Sequence, residues 1–469
     1  MGNRLILCFI MISMLFYLYP LFGFAHGGED ISKVHFKSIV VDSHNDTMLK
    51  VIDKETWLPT LDLKYDTDNH IDIPKLKKGG LNVLFFAAYT SGYQDNTQRS
   101  ISRTLSLINA LYWTEANNRD TFKITKSLSD IEKALYDGKI AAVPTIEGGY
   151  SLDRDESLEL LRQYNDLGIK AIALNWNFSN ALGEGADRTY NDMSKTPSSG
   201  GLTKLGEKVV LEMNRLGMII DVSHMAESTF WDVINTSKSP IMATHSGVYS
   251  LKNHPRNLTD KQLRALANNG GVIGIALYPG FLTKSNQANI KDYVDHIDYV
   301  VDLIGIDHVA IGSDFDGARL PTDLKDSSEL YNVTDELIAR GYKKEDIEKI
   351  LGKNVLRVLK KVEDLSDRKI REIDNKMYIM PYHKMGEIVS DSAPFLSAKI
   401  ESEDLIEINE IKSRIIVDGI SYNANYNKGT STLSLKINKR LKEKFHVVTF
   451  EITDIEGNIQ RSTRIFYIK

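Results

Sequence analysis

The chain has 469 residues, 42% of them hydrophobic and 26% charged, with a net charge of −5. That length exceeds one typical domain and suits a large domain with a smaller companion, each with its own core. The mildly acidic balance offers no basic field of the kind nucleic acids require, so partners of that class are excluded.

From the N-terminus, residues 1–25 read as a signal peptide rather than as fold. Arg4 precedes an apolar run from Leu5 to Phe24, followed by Ala25-His26-Gly27-Gly28 and the acidic Glu29-Asp30. A short positive region, an apolar stretch and a small boundary residue define a secretory signal. The run is long for that role, so an uncleaved membrane anchor is the competing reading. Tyr17, Tyr19, Pro20 and Gly23 argue mildly against a continuous spanning helix. The only cysteine, Cys8, lies inside this segment, and a cleaved chain would contain none. Export without disulfides points to a bacterial periplasmic or cell-envelope protein stabilised by its core. Membrane or envelope attachment through the N-terminus and a homodimer both stay open.

Short apolar β-type runs then alternate with helical stretches from about residue 36 to residue 362. The runs are "SIVVD" (38–42), "LNVLFFAAY" (81–89), "IAAVPTIE" (140–147), "IKAIALNW" (169–176), "GMIIDVS" (217–223), "PIMATHS" (240–246), "GVIGIALY" (271–278) and "HVAIGSD" (308–314). Amphipathic segments such as 156–168, 203–217 and 346–362 lie between them. Near-continuous apolar strands need burial on both faces, which means parallel strands covered by helices. Eight such runs predict an α/β fold, a TIM-like (β/α)₈ barrel over residues 30–370, with a doubly wound open sheet as the alternative.

Residues 371–393 are charged and irregular and read as a linker. After Pro394 helix signals vanish, and "FLSAKIES", "IKSRIIVDG", "STLSLKIN", "HVVTFEITD" and "TRIFYIK" are alternating runs separated by turn residues. They predict a small all-β domain over 394–469, an antiparallel, immunoglobulin-like sandwich. It carries no titratable cluster, which favours a packing or attachment module.

The chemistry concentrates at strand ends. "VDSHND" places His44 and Asp46 two apart on an extended chain, so both point to one face, as a metal requires of a single strand end. Taken alone the pair is a weak signal. The pattern repeats: "AVPTIEGG" delivers Glu147, "MIIDVSH" His224, "IMATHSG" His245 and "VAIGSDFDG" Asp314. In a barrel these ends ring one mouth, the face where such folds carry their active sites, and clustered His, Asp and Glu there predict a metal site. Imidazoles and carboxylates without thiolate suit a catalytic metal that must also admit substrate.

These residues resemble a known family, the renal or membrane dipeptidases, zinc peptidases with a TIM-like barrel. The matching stretches are "VDSHND", "DIPKLKKGGLNVLFFAAY", "IEGG", "DVSHM", "THSGVYSLKNHPRNLTD", "HVAIGSDFDG" and "GKNVLRVL", in order from about residue 39 to 358. The C-terminal β module lies outside the resemblance. The family implies two Zn²⁺ per chain: His44 and Asp46 on one ion, His224 and His245 on the other, and Glu147 bridging them. A shared carboxylate and a bridging hydroxide offset the repulsion of two close dications, and the hydroxide would be the nucleophile. Asp314 is the expected general acid/base, with a ligand or orienting role as its alternative. Asp316 is read as structural. Arg256, whose planar guanidinium can clamp a carboxylate, would hold the C-terminus of a dipeptide substrate. The family also implies tolerance for a D-residue on the C-terminal side.

One departure stands out. Where the family often carries a substrate-contacting histidine, "IALNWNFSN" places Trp176, which offers bulk and one N–H donor but no proton to transfer. Two other functions remain in view: another amidohydrolase on a binuclear barrel, and a non-catalytic surface protein that works through its β module.

Overall fold

The computed structural model describes residues 31–93, 96–154, 156–186, 200–285, 287–367, 377–402 and 408–469. The expected signal segment, 1–25, lies outside them. Each of the eight predicted runs overlaps a strand, the first only at its last two residues: β1 (Val41–Asn45), β2 (Val83–Tyr89), β4 (Ile140–Glu147), β5 (Ala171–Ala173), β6 (Ile219–Asp221), β7 (Met242–Ser246), β8 (Val272–Ile275) and β9 (Val309–Ile311). A further short strand, β3 (Phe122–Ile124), pairs with the first half of β4. All pairings are parallel, in the order β1-β2-β4-β5-β6-β7-β8-β9. The doubly wound alternative is therefore set aside.

The sheet returns on itself just beyond the strand ends. The Asp46 N–H donates to the Phe315 carbonyl at 2.9 Å, and the Asp314 N–H donates to the His44 carbonyl at 3.1 Å. Asp42 holds this seam, accepting from the Ser313 N–H and hydroxyl at 2.8 Å each. Its burial outweighs those hydrogen bonds and raises its pKa to about 6. Inward residues such as Val41, Phe85, Val143 and Met242 share one buried cluster with Val355, Val358 and Leu359 of the helix Asn354–Asp364. The apolar strands thus bury both faces, which is why they read as unbroken hydrophobic runs.

Beyond the barrel lie β10 (Met377–Pro381), β11 (Glu387–Val389), β12 (Phe395–Ser402), β13 (Arg414–Val417), β14 (Ile420–Asn423), β15 (Asn425–Asn427), β16 (Thr432–Lys436), β17 (Phe445–Thr453) and β18 (Ile459–Ile468). They form a four-stranded sheet, β10-β12-β16-β15, and a five-stranded sheet, β11-β18-β17-β13-β14, which share a core of residues such as Leu396, Ile415, Phe450 and Phe466. Two corrections follow. The expected linker 371–393 contains β10 and β11, so the β module starts earlier than Pro394. The sandwich is not wholly antiparallel, because β11 runs parallel to β18.

The module is fastened to the barrel rather than tethered to it. Phe445, Val447, Ile465 and Tyr467 join the buried cluster of the barrel's own helices. The Gln163 side chain, buried on the helix Ser157–Asp166, donates to the Ile416 carbonyl and the Thr449 hydroxyl and accepts from the Gly419 N–H at 2.6 Å. Arg461 reaches Asp166 at 2.8 Å and Glu159 at 3.0 Å. Near this junction His446 Nδ1 lies 2.6 Å from Asp418, which also accepts from Gln98.

Burial works against a charged His446, but the Asp418 carboxylate and the hydrogen bonds outweigh it and raise its pKa. A raised pKa in the fold means that this pair stabilises fully below the unfolded value of about 6.5, and that its contribution is lost as pH rises through the folded value. Thermal midpoints measured from acidic to alkaline pH should therefore fall more steeply in the wild type than in His446→Gln. Parallel curves for the two proteins would contradict this assignment.

Candidate metal centre and active site

The strand ends bring the sequence-predicted residues to one mouth of the barrel. His44 sits in β1 with Asp46 just past it, Glu147 ends β4, and His245 lies in β7. His224 follows β6, and Asp314 follows β9. Asp46, Glu147, Trp176, His245, Arg256 and Asp314 are among the residues lining a cavity of about 530 Å³. His44 lies against its floor, 2% exposed.

Glu147 organises the floor. Its Oε1 lies 2.8 Å from His224 Nε2 and 3.5 Å from His245 Nε2. Its Oε2 lies 3.7 Å from His44 Nε2, and that nitrogen is also 3.7 Å from Asp46 Oδ2. The two oxygens of one carboxylate therefore face two different groups of side chains. Three atoms on the second side, His44 Nε2, Glu147 Oε2 and Asp46 Oδ1, are buried and make no hydrogen bond within the protein. On the first side His224 Nε2 and His245 Nε2 approach to 2.8 Å. Within each of the sets His44-Asp46-Glu147 and Glu147-His224-His245, the ligand atoms all lie within 4.8 Å of one another. Convergent lone pairs that lack donors are costly to bury, and a cation satisfies them. The donor set fits metal ions.

The electrostatics agree with that fit. Burial, reinforced by the Asp46 charge, holds Glu147 well above the usual carboxylate range. Burial opposes a charge on His44, but Glu147, Asp46 and Asp314 outweigh it and lift its pKa to about 10. His224 and His245 are held well below the ordinary histidine value, by burial first and then by the charges of His44 and Arg256. Asp314 lies 4.0 Å from His44 Nε2, and its pKa is raised to about 6, chiefly by burial.

Local backbone geometry places these groups at a cost. His224 and Asp314 adopt φ of 66° and 60°, a region that non-glycine residues enter at roughly 1–3 kcal/mol each. Gly317 lets the two carboxylates come close, because a Cβ there would meet Asp46 Oδ2 at 2.1 Å and Asp314 Oδ1 at 2.7 Å. Asp316 fastens the loop, accepting from the Thr47 hydroxyl at 2.8 Å and from the N–H groups of His70 and Ile71.

Arg256 is 3% exposed and donates to the His245 carbonyl at 3.1 Å, with its guanidinium 5.2 Å from the Phe281 ring. It is a built part of the cavity. Trp176 forms a wall, edge-on to Tyr89 at 5.2 Å and 5.8 Å from the His224 ring, and its carbonyl accepts from the Tyr150 hydroxyl at 2.6 Å. Asn177, Asp221 and Thr244 were not singled out from the sequence. The Asn177 side-chain oxygen lies 2.8 Å from His224 Nδ1. Nothing in the spacing of "NWN" marks that role, since the contact crosses from the end of one strand to the next.

Residues 29–372 match the family model of the membrane dipeptidases (peptidase family M19). An uncharacterized dipeptidase of Schizosaccharomyces pombe is 33% identical over 71% of this chain and 84% of its own length. Dipeptidase aclJ of Aspergillus oryzae is 34% identical over 63% of this chain and 71% of its own. Among solved structures, a metallopeptidase of Rhodobacter sphaeroides, bound to a phosphinate mimic of L-Ala-D-Ala, superposes with a TM-score of 0.63 at 27% identity, covering 69% of this chain and 99% of that one. The probable dipeptidase PvdM of Pseudomonas aeruginosa gives 0.62 at 25% identity, covering 72% and 98%. The family match stops at residue 372, so β10–β18 lie beyond it. The chain belongs to the membrane dipeptidase family, metallopeptidases that hydrolyse dipeptides.

Proposed function

We propose that this chain is a two-zinc dipeptidase that accepts substrates with a C-terminal D-residue. The observation that carries the proposal is the division of Glu147, with Oε1 toward His224 and His245 and Oε2 toward His44. His44 and Asp46 would hold one ion, His224 and His245 the other, with Glu147 shared. Bound there, the ions would acidify a water near neutral pH and polarise the scissile carbonyl.

The chain's own residues supply the rest. Asp314, with a pKa near 6, is suited to take the proton of the attacking water and return it to the leaving amine. Arg256, buried at the cavity wall and steadied by the His245 carbonyl, would bind the substrate's terminal carboxylate by paired hydrogen bonds. That clamp restricts hydrolysis to the bond next to a free C-terminal residue. Trp176 and Tyr89 would shape the pocket for side chains, and with tryptophan in place of histidine no protonated imidazole assists from that side. The L-Ala-D-Ala mimic held by the Rhodobacter sphaeroides relative supports the D-residue part. Export to the bacterial envelope belongs to the same proposal, and the N-terminus of the mature protein, read by mass spectrometry, tests it.

Turnover of paired L,L- and L,D-dipeptides tests the substrate class, and failure of every L,D member removes the D-residue claim. Arg256→Ala should raise KM for a dipeptide by about 100-fold or more, because a buried carboxylate loses its charged partner. A dipeptide KM that stays at the wild-type value would favour a different amide substrate. Asp314→Asn should lower kcat by about 10²–10⁴-fold with both metals retained. Unchanged turnover would take Asp314 out of the mechanism.

A further inference from the structure

We infer that Asp221 and Thr244 form a hydrogen-bonded relay that fixes the proton of His245 on Nδ1, which makes both of them positioning residues for the ion held by His224, His245 and Glu147. The inference rests on the two-ion reading above and adds two residues to it.

Asp221 is the last residue of β6, and Thr244 precedes His245 on β7. All three are buried. Asp221 Oδ1 accepts from the Thr244 N–H at 3.0 Å and from the Ser223 N–H at 2.9 Å. Its Oδ2 lies 2.5 Å from the Thr244 hydroxyl, whose oxygen is 3.0 Å from His245 Nδ1. Three donors aim at the Asp221 carboxylate, which acts as the acceptor in each bond. The hydroxyl has a single proton, so its bond to Asp221 leaves only oxygen lone pairs to face His245. His245 must then carry its proton on Nδ1 and present a bare Nε2 toward Glu147.

The two imidazoles on this side are therefore oriented by different devices. His224 Nδ1 meets the neutral Asn177 amide oxygen. His245 connects through a hydroxyl to a buried carboxylate, an arrangement that raises the basicity of a ligating nitrogen. The relay also fastens the ends of β6 and β7, which share only one ladder pair, Asp221 with Met242. A competing role for Asp221 as a ligand itself, grouped with His44 and His245 within 4.8 Å, would have to use the one lone-pair site that its three hydrogen bonds leave.

The test measures zinc stoichiometry and affinity in the full chain by equilibrium dialysis against a chelator, with the absorption spectrum of the cobalt-loaded protein as a second readout. Wild type should bind two ions. Thr244→Val, nearly isosteric but without the hydroxyl, should keep one ion and weaken the other by about 10–100-fold, and Thr244→Ser should restore it. Thr244→Ala serves in the same comparison if the valine variant does not fold, and circular dichroism of the metal-free proteins checks folding. Two ions bound by Thr244→Val at wild-type affinity would overturn the relay, and loss of an ion only in Asp221→Asn would make Asp221 a ligand. Equal weakening in Thr244→Val and Thr244→Ser would reduce Thr244 to a packing role. Fewer than two ions on the wild type would instead overturn the two-ion reading.

Discussion

A carboxylate buried at the end of a barrel strand must meet positive charge or donors on both of its oxygens. Glu147 lies under that constraint, and much of the barrel mouth answers to it. Strand β4, which it terminates, is laddered on both sides at Glu147 itself, to Tyr89 of β2 and Ala173 of β5. Of the residues gathered around it, His44 and His245 stand in strands, while two others come from less regular places. His224 occupies a left-handed backbone conformation after β6, and Asp314 does the same after β9. The Asp42–Ser313 hydrogen bonds and the missing side chain of Gly317 hold the second group close. Strain at these positions is compatible with stability because the surrounding barrel over-determines them.

Most of the barrel was legible in the sequence because its strands are buried on both faces and end in polar residues. The eight runs needed only that contrast, and the five proposed ligands with Asp314 are the polar ends themselves. What escaped depends on contacts between strands. Asp221 stands in the same motif as His224, yet its partner is Thr244 on the neighbouring strand, and no spacing within either segment announces the pair. Asn177 meets His224 in the same way. Gly317 reads as an ordinary turn residue until two carboxylates are seen beside its α-carbon. Strands β10 and β11 were hidden for another reason: β10 lies at a sheet edge with Tyr378 and Met380 exposed, and β11 has only three residues, so neither shows a buried pattern.

The β module changes the view of the barrel's stability more than of its chemistry. Gln163 and Arg461 look like solvated groups in a linear reading, but they fasten strands β13, β17 and β18 to the helix Ser157–Asp166. That helix joins β4 to β5, the strands that precede Glu147's loop and Trp176. Docking of the module therefore restrains a connection on which two cavity residues depend. A module lost or loosened would be felt at that connection and at the helix Thr97–Asn117, whose Ser102 hydroxyl accepts from the Phe445 N–H at 2.8 Å.

In the proposed site Glu147 stands between two ions. A crystal of the zinc-loaded protein, measured on both sides of the zinc absorption edge, tests it most directly. Two anomalous peaks should flank the Glu147 carboxylate, one beside His44 and Asp46 and the other beside His224 and His245. A single peak, or a peak at Asp221 with none between Glu147 and His224, would contradict it.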